Sequence, residues 1–138
     1  MINLSIIIPV YNVARYIERC LRFVEAQTLH DIEVILVDDH GQDDSISIAK
    51  ELTQKNVRKD IHYVYTETPA NSGPAVARNM GIQAASGEYI AFLDADDWIE
   101  LEMYETLYQN ARMYQADLSC CNLIQDFEDG TPSKVLRN

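Results

Sequence analysis

The chain has 138 residues, 47% of them hydrophobic, which is enough for one domain with a real core and excludes disorder as its ground state. Its 22 acidic and 11 basic side chains give a formal net charge of −11, which argues against non-specific binding to nucleic acid or anionic lipid. No apolar run approaches the roughly 20 residues of a membrane span, and the start Met1-Ile2-Asn3-Leu4 lacks the basic region of a signal peptide.

Extended and helical patterns alternate along the chain. Ser5 to Val10 is an apolar strand interrupted by Pro9. A helix over about Arg15 to Gln27 follows, with Ile17, Cys20, Leu21 and Val24 on one face. Ile32 to Val37 is a second strand, ending in Asp38-Asp39. The polar loop His40-Gly41-Gln42-Asp43 leads to a helix of about Asp44 to Lys55, with Ile48, Ala49 and Leu52 as its stripe. Ile61 to Tyr65 is a third strand. A loop with Pro69, Asn71, Gly73 and Pro74 precedes a helix of about Ala75 to Ala85, ended by Ser86-Gly87. Tyr89 to Leu93 is the fourth strand, Leu101 to Tyr114 a helix, and Leu118 to Ile124 a fifth extended run. The polar tail from Asp126 onward is expected to be loose. Strands alternating with helices of this length mean β-α-β units, an α/β fold and a mostly parallel sheet.

The three cysteines, Cys20, Cys120 and Cys121, have no metal-ligand spacing. They read as buried free thiols of a reducing compartment. His30, His40 and His62 are scattered, and no nucleophile triad is visible.

The chemistry gathers at strand ends. After the apolar run ending in Phe92-Leu93, Asp94-Ala95-Asp96-Asp97 puts three carboxylates within four residues. Two unit charges about 4 Å apart repel by about 4 kcal/mol at an effective dielectric near 20, and a hard divalent cation reverses that sign. Mg²⁺ and Mn²⁺ favour oxygen ligands from carboxylates and substrate phosphates. The competing reading is a solvated acidic loop with Asp97 as N-cap of the next helix. In a parallel sheet Tyr11-Asn12, Asp38-Asp39 and Asp94 to Asp97 share the carboxyl edge, where open α/β sheets bind ligands. Asp38-Asp39 suits a ribose or base contact, or an Asx turn. The start of the helix after Asn71-Ser72-Gly73 offers free N–H groups to an anion. Arg78 adds a cation there, or else closes an ion pair with Asp38 or Asp94. Tyr11 and Trp98 border the cleft as stacking or packing residues. His40 titrates near the cleft or is a solvated loop histidine. Glycine-rich dinucleotide and phosphate-loop motifs are absent.

Ile7-Ile8-Pro9-Val10-Tyr11-Asn12, Val37-Asp38-Asp39, Asn71-Ser72-Gly73 through Ala77-Arg78-Asn79, and Asp94-Ala95-Asp96-Asp97 together resemble the successive motifs of family 2 glycosyltransferases. The resemblance runs over about residues 4 to 124. It implies a GT-A, Rossmann-like fold with central strand order 3-2-1-4, incomplete here, and inverting transfer of a sugar from a nucleotide-diphosphate sugar, a UDP-sugar above all. By the same resemblance Pro9, Tyr11 and Asn12 line the nucleotide pocket. Asp39 recognises the base and Arg78 approaches the base or diphosphate. Asp94 holds the ribose region or a metal-bound water, and Asp96 with Asp94 binds Mn²⁺ or Mg²⁺. The acceptor would be a carbohydrate or lipid-linked saccharide, and the location cytoplasmic, either free or peripheral at the inner face of the cell membrane.

Two departures stand out. Where the family commonly has Gly-Ser-x-Asp, this chain has His40-Gly41-Gln42-Asp43. Such catalytic domains also run well past this length, with the general base in a later acceptor-binding half, so the base is expected beyond Asn138. Residues 1–125 then form the donor half and 126–138 a polar tail, with self-association expected through an open sheet edge. Two other classes remain: a non-catalytic nucleotide-binding module, and a phosphatase with Asp94 as nucleophile and Asp96 as general acid. The phosphatase motif normally opens its fold, and Lys134 is a poor match for the lysine it needs.

Overall fold

The computed structural model describes residues 1–137. They fall into two compact units, Met1–Glu105 and Thr106–Asn138. The first unit contains β1 (Leu4–Val10), α1 (Ile17–Glu25), β2 (Ile32–Asp38), α2 (Ser45–Gln54), β3 (Ile61–Glu67), α3 (Pro74–Ala84) and β4 (Tyr89–Phe92). Helix α4 (Met103–Tyr114) begins there and continues into the second unit, which adds β5 (Leu123–Gln125) and β6 (Lys134–Leu136).

The four long-range strands pair in parallel in the order β3-β2-β1-β4. This is the expected α/β architecture and strand order. The central strands are buried almost throughout because helices cover both faces: Ile6, Ile7, Ile8, Val34, Ile35, Leu36 and Val37 have no exposed surface. Helix α1 buries Ile17, Cys20, Leu21 and Val24, the stripe its periodicity predicts. On the opposite face Ile7, Ile35 and Val37 pack with Ala77 of α3. Helix α3 lies very close to the sheet because Gly81 carries no side chain; a Cβ there would sit 2.3 Å from Ile7 Cγ2.

Two polar anchors fix the amino-terminal side of the sheet. Glu33, buried in β2, accepts hydrogen bonds from Ser5 Oγ (2.6 Å), Ser86 N–H (3.0 Å) and Ser86 Oγ (2.7 Å). Gly87 N–H in turn donates to Ser5 Oγ at 2.8 Å. This closes a network across β1, β2 and the entry to β4. Arg58 donates to the carbonyls of Glu25, Gln27 and Leu29 and to both Asp60 oxygens, which ties the end of α1 to the start of β3.

The second unit departs from expectation. The extended run at Leu118 to Ile124 contracts to β5, which pairs antiparallel with β6 (Leu123↔Leu136). The tail is therefore partly ordered. Ser133 Oγ bonds Asp126 and Thr131 N–H bonds the Asp129 carboxylate, closing the turn. Antiparallel pairing needs only a short connection, and local turn chemistry at Asp126, Asp129 and Gly130 supplies it. Cys120 and Cys121 are exposed, and only Cys20 is a buried thiol. Two exposed thiols in a short irregular segment lack the core contacts that the reading of all three as buried required. Helix α4 begins at Met103, so Asp97 does not cap it. Among the described residues no helix is long and apolar enough to cross a membrane.

Candidate functional site

Parallel pairing puts the ends of β1, β2 and β4 on one edge of the sheet. The register runs Val10↔Asp38 and Ile7↔Phe92, so β4 stops three residues short of the β1 end. Past Phe92 the chain alternates: Leu93 and Ala95 are buried at 5% and 2% exposure, while Asp94, Asp96 and Asp97 face solvent. One carboxylate oxygen from each of the three lies within 4.8 Å of the others. Asp97 N–H bonds the Asp94 carbonyl at 3.0 Å, a tight turn that brings the side chains together. Burial and the charges of Asp96 and Asp94 push the Asp97 carboxyl up. Cys20, beneath this turn, is pushed to about 12, first by burial and then by the charge of Asp97.

Arg78 Nη2 donates to Asp94 Oδ1 at 2.9 Å. Of the two partners offered for Arg78, the structure selects Asp94. The pair is partly exposed, 35% and 50%, so it is worth little as a stability element. Its consequence is positional: a guanidinium stands beside the acidic turn, within reach of an anion. Arg19 Nη2 donates to the Asp96 carbonyl at 2.8 Å and braces the same turn from α1.

Asp39 differs from a simple exposed ligand. It is 2% exposed, and its oxygens accept from Thr68 Oγ1 (2.7 Å), Ser72 N–H (2.8 Å) and Gly73 N–H (3.0 Å). Burial alone would raise its pKa; the three hydrogen bonds, with a small contribution from His40, more than offset that and hold the carboxyl below its ordinary range. Two of the donors bond Oδ1 and one bonds Oδ2, which leaves a single acceptor position on Oδ2. The carboxylate thus fastens residues 68–73, the loop that carries Gly73 (φ 87°) and leads into the α3 N-terminus. Pro74 at the first helical position leaves that end without one N–H from the outset.

Tyr11 is 43% exposed at the β1 end, Pro9 is half-buried, and Asn12 has φ 50°. The Asn12 side chain accepts from Gln42 N–H at 2.8 Å, so it braces the neighbouring loop. Asp43, read in the sequence only as part of the His40 to Asp43 loop, and Ser45, which sequence reasoning passed over, do the same work. Asp43 accepts from Ala14 N–H (2.9 Å) and Ser45 N–H (3.0 Å), and Ser45 Oγ accepts from Val13 N–H (2.8 Å). The signal was an Asp-x-Ser pattern before a helix. Trp98 packs against Phe23, ring centroids 6.1 Å apart, which favours the packing role.

The chain matches the family described as Glycosyl transferase family 2 over residues 5–138. It is 41% identical over 120 residues to Glycosyltransferase GlyA of Streptococcus pneumoniae, covering 87% of this chain and 16% of that protein. It is 41% identical over 126 residues to the putative glycosyltransferase EpsH of Bacillus subtilis, covering 91% of this chain and 35% of that one. Among solved structures, S. aureus TarS 1-349 in complex with UDP-GlcNAc superposes with TM-score 0.74 at 27% identity, covering 83% of this chain and 32% of that one. The mannosyltransferase PcManGT from Pyrobaculum calidifontis, in complex with GDP-Man and Mn²⁺, gives TM-score 0.70 at 28% identity, covering 83% and 32%. The chain therefore spans about a third or less of the length of these proteins. With a matching family description over nearly its whole length and a GT-A α/β core, the chain belongs to glycosyl transferase family 2.

Proposed function

We propose that this chain is the donor-binding portion of an inverting, metal-dependent glycosyltransferase that uses a nucleotide-diphosphate sugar, a UDP-sugar in the first place. The observation that carries the reading is the convergence of Asp94 and Asp96 with Arg78 on the same sheet edge as the Asp39-anchored loop. UDP and UDP-GlcNAc are bound by TarS, and GDP-Man by PcManGT, which supports a nucleotide-sugar donor.

The carboxylate cluster fits a hard divalent cation, because one oxygen from each of three exposed carboxylates lies within 4.8 Å of the others, while Arg78 bonds one Asp94 oxygen and Arg19 bonds the Asp96 carbonyl rather than a carboxylate. Asp96 with Asp94 would hold Mn²⁺ or Mg²⁺, which supplies Lewis-acid stabilisation of charge on a diphosphate leaving group. Arg78 releases or shares Asp94 to meet the diphosphate or base. Asp39 shapes the base side by fixing residues 68–73 and offers its one free acceptor position to the base. Pro9, Tyr11 and Asn12 form the pocket wall at the β1 end, and Asn12 also braces residue 42. The acceptor is a carbohydrate or lipid-linked saccharide.

Calorimetry with UDP in Mn²⁺ and in chelator is the test. Binding at least about tenfold tighter with Mn²⁺, lost in Asp96→Asn, supports the reading. Equal affinity in both conditions removes the metal from it. Mass spectrometry after incubation with UDP-sugars and saccharide acceptors separates transfer, which gives a glycoside, from a phosphatase, which gives phosphate, and from a binding module, which gives neither.

A further inference from the structure

A second cluster of ligating groups lies at the ends of β2 and β3, where the 68–73 loop begins. Asp38 and Glu67 are register partners at the ends of β2 and β3. Paired residues on adjacent strands leave the sheet on the same side, and like charges placed so are destabilising. His40, two residues after Asp38, completes the group. A ring nitrogen of His40 and one oxygen from each carboxylate all lie within 4.8 Å of one another. We propose that Asp38, His40 and Glu67 form a site for a first-row divalent metal such as Zn²⁺, separate from the Asp94–Asp96 cluster and independent of any donor.

Three features support it. The first is the ligand set: one imidazole and two carboxylates suit Zn²⁺ and its neighbours better than the oxygen-only set at Asp94 and Asp96 suits them. The second is the outer shell. His40 Nε2 faces the Thr68 carbonyl at 2.5 Å, and a carbonyl only accepts, so Nε2 carries a proton and a metal on this ring would take Nδ1 once that nitrogen is deprotonated. Metal-bound histidines are commonly held this way by a carbonyl on the far nitrogen. Asp38 Oδ1 is itself oriented by His40 N–H at 2.9 Å. The third is space. Asp38 and Glu67 line an open cavity of about 270 Å³ with Ile46, Lys50, Tyr65 and Thr66, so three protein ligands leave room for water or a small anion to complete the coordination. The competing counter-ions are His40 itself, whose pKa the Thr68 carbonyl and then the charges of Asp38, Glu67 and Asp39 raise, and the Lys50 ammonium. The ammonium lies 5.7 Å from the centroid of the Tyr65 ring and lines the same cavity. A bound metal would staple β2 to β3 at the root of the 68–73 loop, because Thr68 follows Glu67 directly and its carbonyl holds the imidazole.

Zinc calorimetry and cobalt absorption on the purified chain decide it, in buffer well above the imidazole's titration range. The background is Asp94→Asn/Asp96→Asn, which removes the other cluster, so failure here is distinguishable from failure of the donor site. About one equivalent of Zn²⁺ is expected, with a Co²⁺ visible band that Zn²⁺ displaces. His40→Asn, which tolerates the left-handed backbone at this position (φ 57°), and Glu67→Gln, at an exposed strand end, should each weaken binding at least about tenfold. Both variants should keep the wild-type circular dichroism. Binding unchanged in both variants, or a Zn²⁺ affinity only in the millimolar range, overturns the site and leaves the His40 imidazolium and Lys50 as the counter-ions.

Discussion

Asp39→Asn tests whether the carboxylate works chiefly by fastening the loop. The native group accepts three hydrogen bonds at 2% exposure. Asparagine keeps one acceptor oxygen, which can take the Oδ1 position and its bonds from Thr68 and Ser72. Its NH₂ then faces Gly73 N–H, donor against donor. One charge-assisted bond is lost, at about 1.5–3 kcal/mol, and the half-buried Gly73 N–H is left facing a donor. The expected loss of folding free energy is about 1.5–3 kcal/mol, a sizeable share of a typical 5–15 kcal/mol domain stability. Urea unfolding followed by circular dichroism measures it, with the slope checked for two-state behaviour. The pH dependence supplies an independent arm. The folded pKa of Asp39 is lowered, so its stabilisation is fully present above the unfolded carboxylate pKa and is lost as pH falls through the lower folded value. The mutant should lack that component, and the gap between the two proteins should narrow in acid. UDP affinity should fall as well, since the loop carries Gly73 and the start of α3. A loss below about 0.5 kcal/mol with a native fold, or a gap that does not change with pH, would refute the anchoring role.

Glu33→Ala strips the acceptors from Ser5 Oγ, Ser86 N–H and Ser86 Oγ inside the sheet; a loss of about 2–4 kcal/mol in chemical denaturation is expected, and a neutral result would show that water replaces the network. Gly81→Ala places a methyl 2.3 Å from Ile7 Cγ2 in a side chain with no exposed surface; overpacking of about 1–3 kcal/mol should outweigh the gain of about 1 kcal/mol in helix propensity, lowering the thermal midpoint. Strand β4 ends the sheet with Ile90 and Phe92 exposed at 42% and 49%; light scattering across a concentration series should show self-association that Phe92→Lys reduces, and a monomer at every concentration would exclude it.

Much of the fold was written in the sequence because its causes are local. The periods of Ser5 to Val10 and Ile32 to Val37, with Ile17, Cys20, Leu21 and Val24 between them, set strand and helix identity, and α-helical crossovers between strands force parallel pairing. The acidic ends of β2 and β4 and the position of Arg78 were legible for the same reason, since parallel pairing sends strand ends to one edge. Other features depended on distant partners. Asp39 reads as an exposed ligand until Thr68, Ser72 and Gly73 close around it. Glu33 sits in an apolar strand and becomes buried only because Ser5 and Ser86 meet it across 28 and 53 residues of chain. The pairing of β5 with β6, and the exposure of Cys120 and Cys121, hung on a turn and on the lack of core contacts, which a short polar segment does not announce. Periodicity encodes which face of an element is apolar; which polar groups that face then encloses is decided by burial, because an enclosed carboxylate must find donors wherever the tertiary fold brings them.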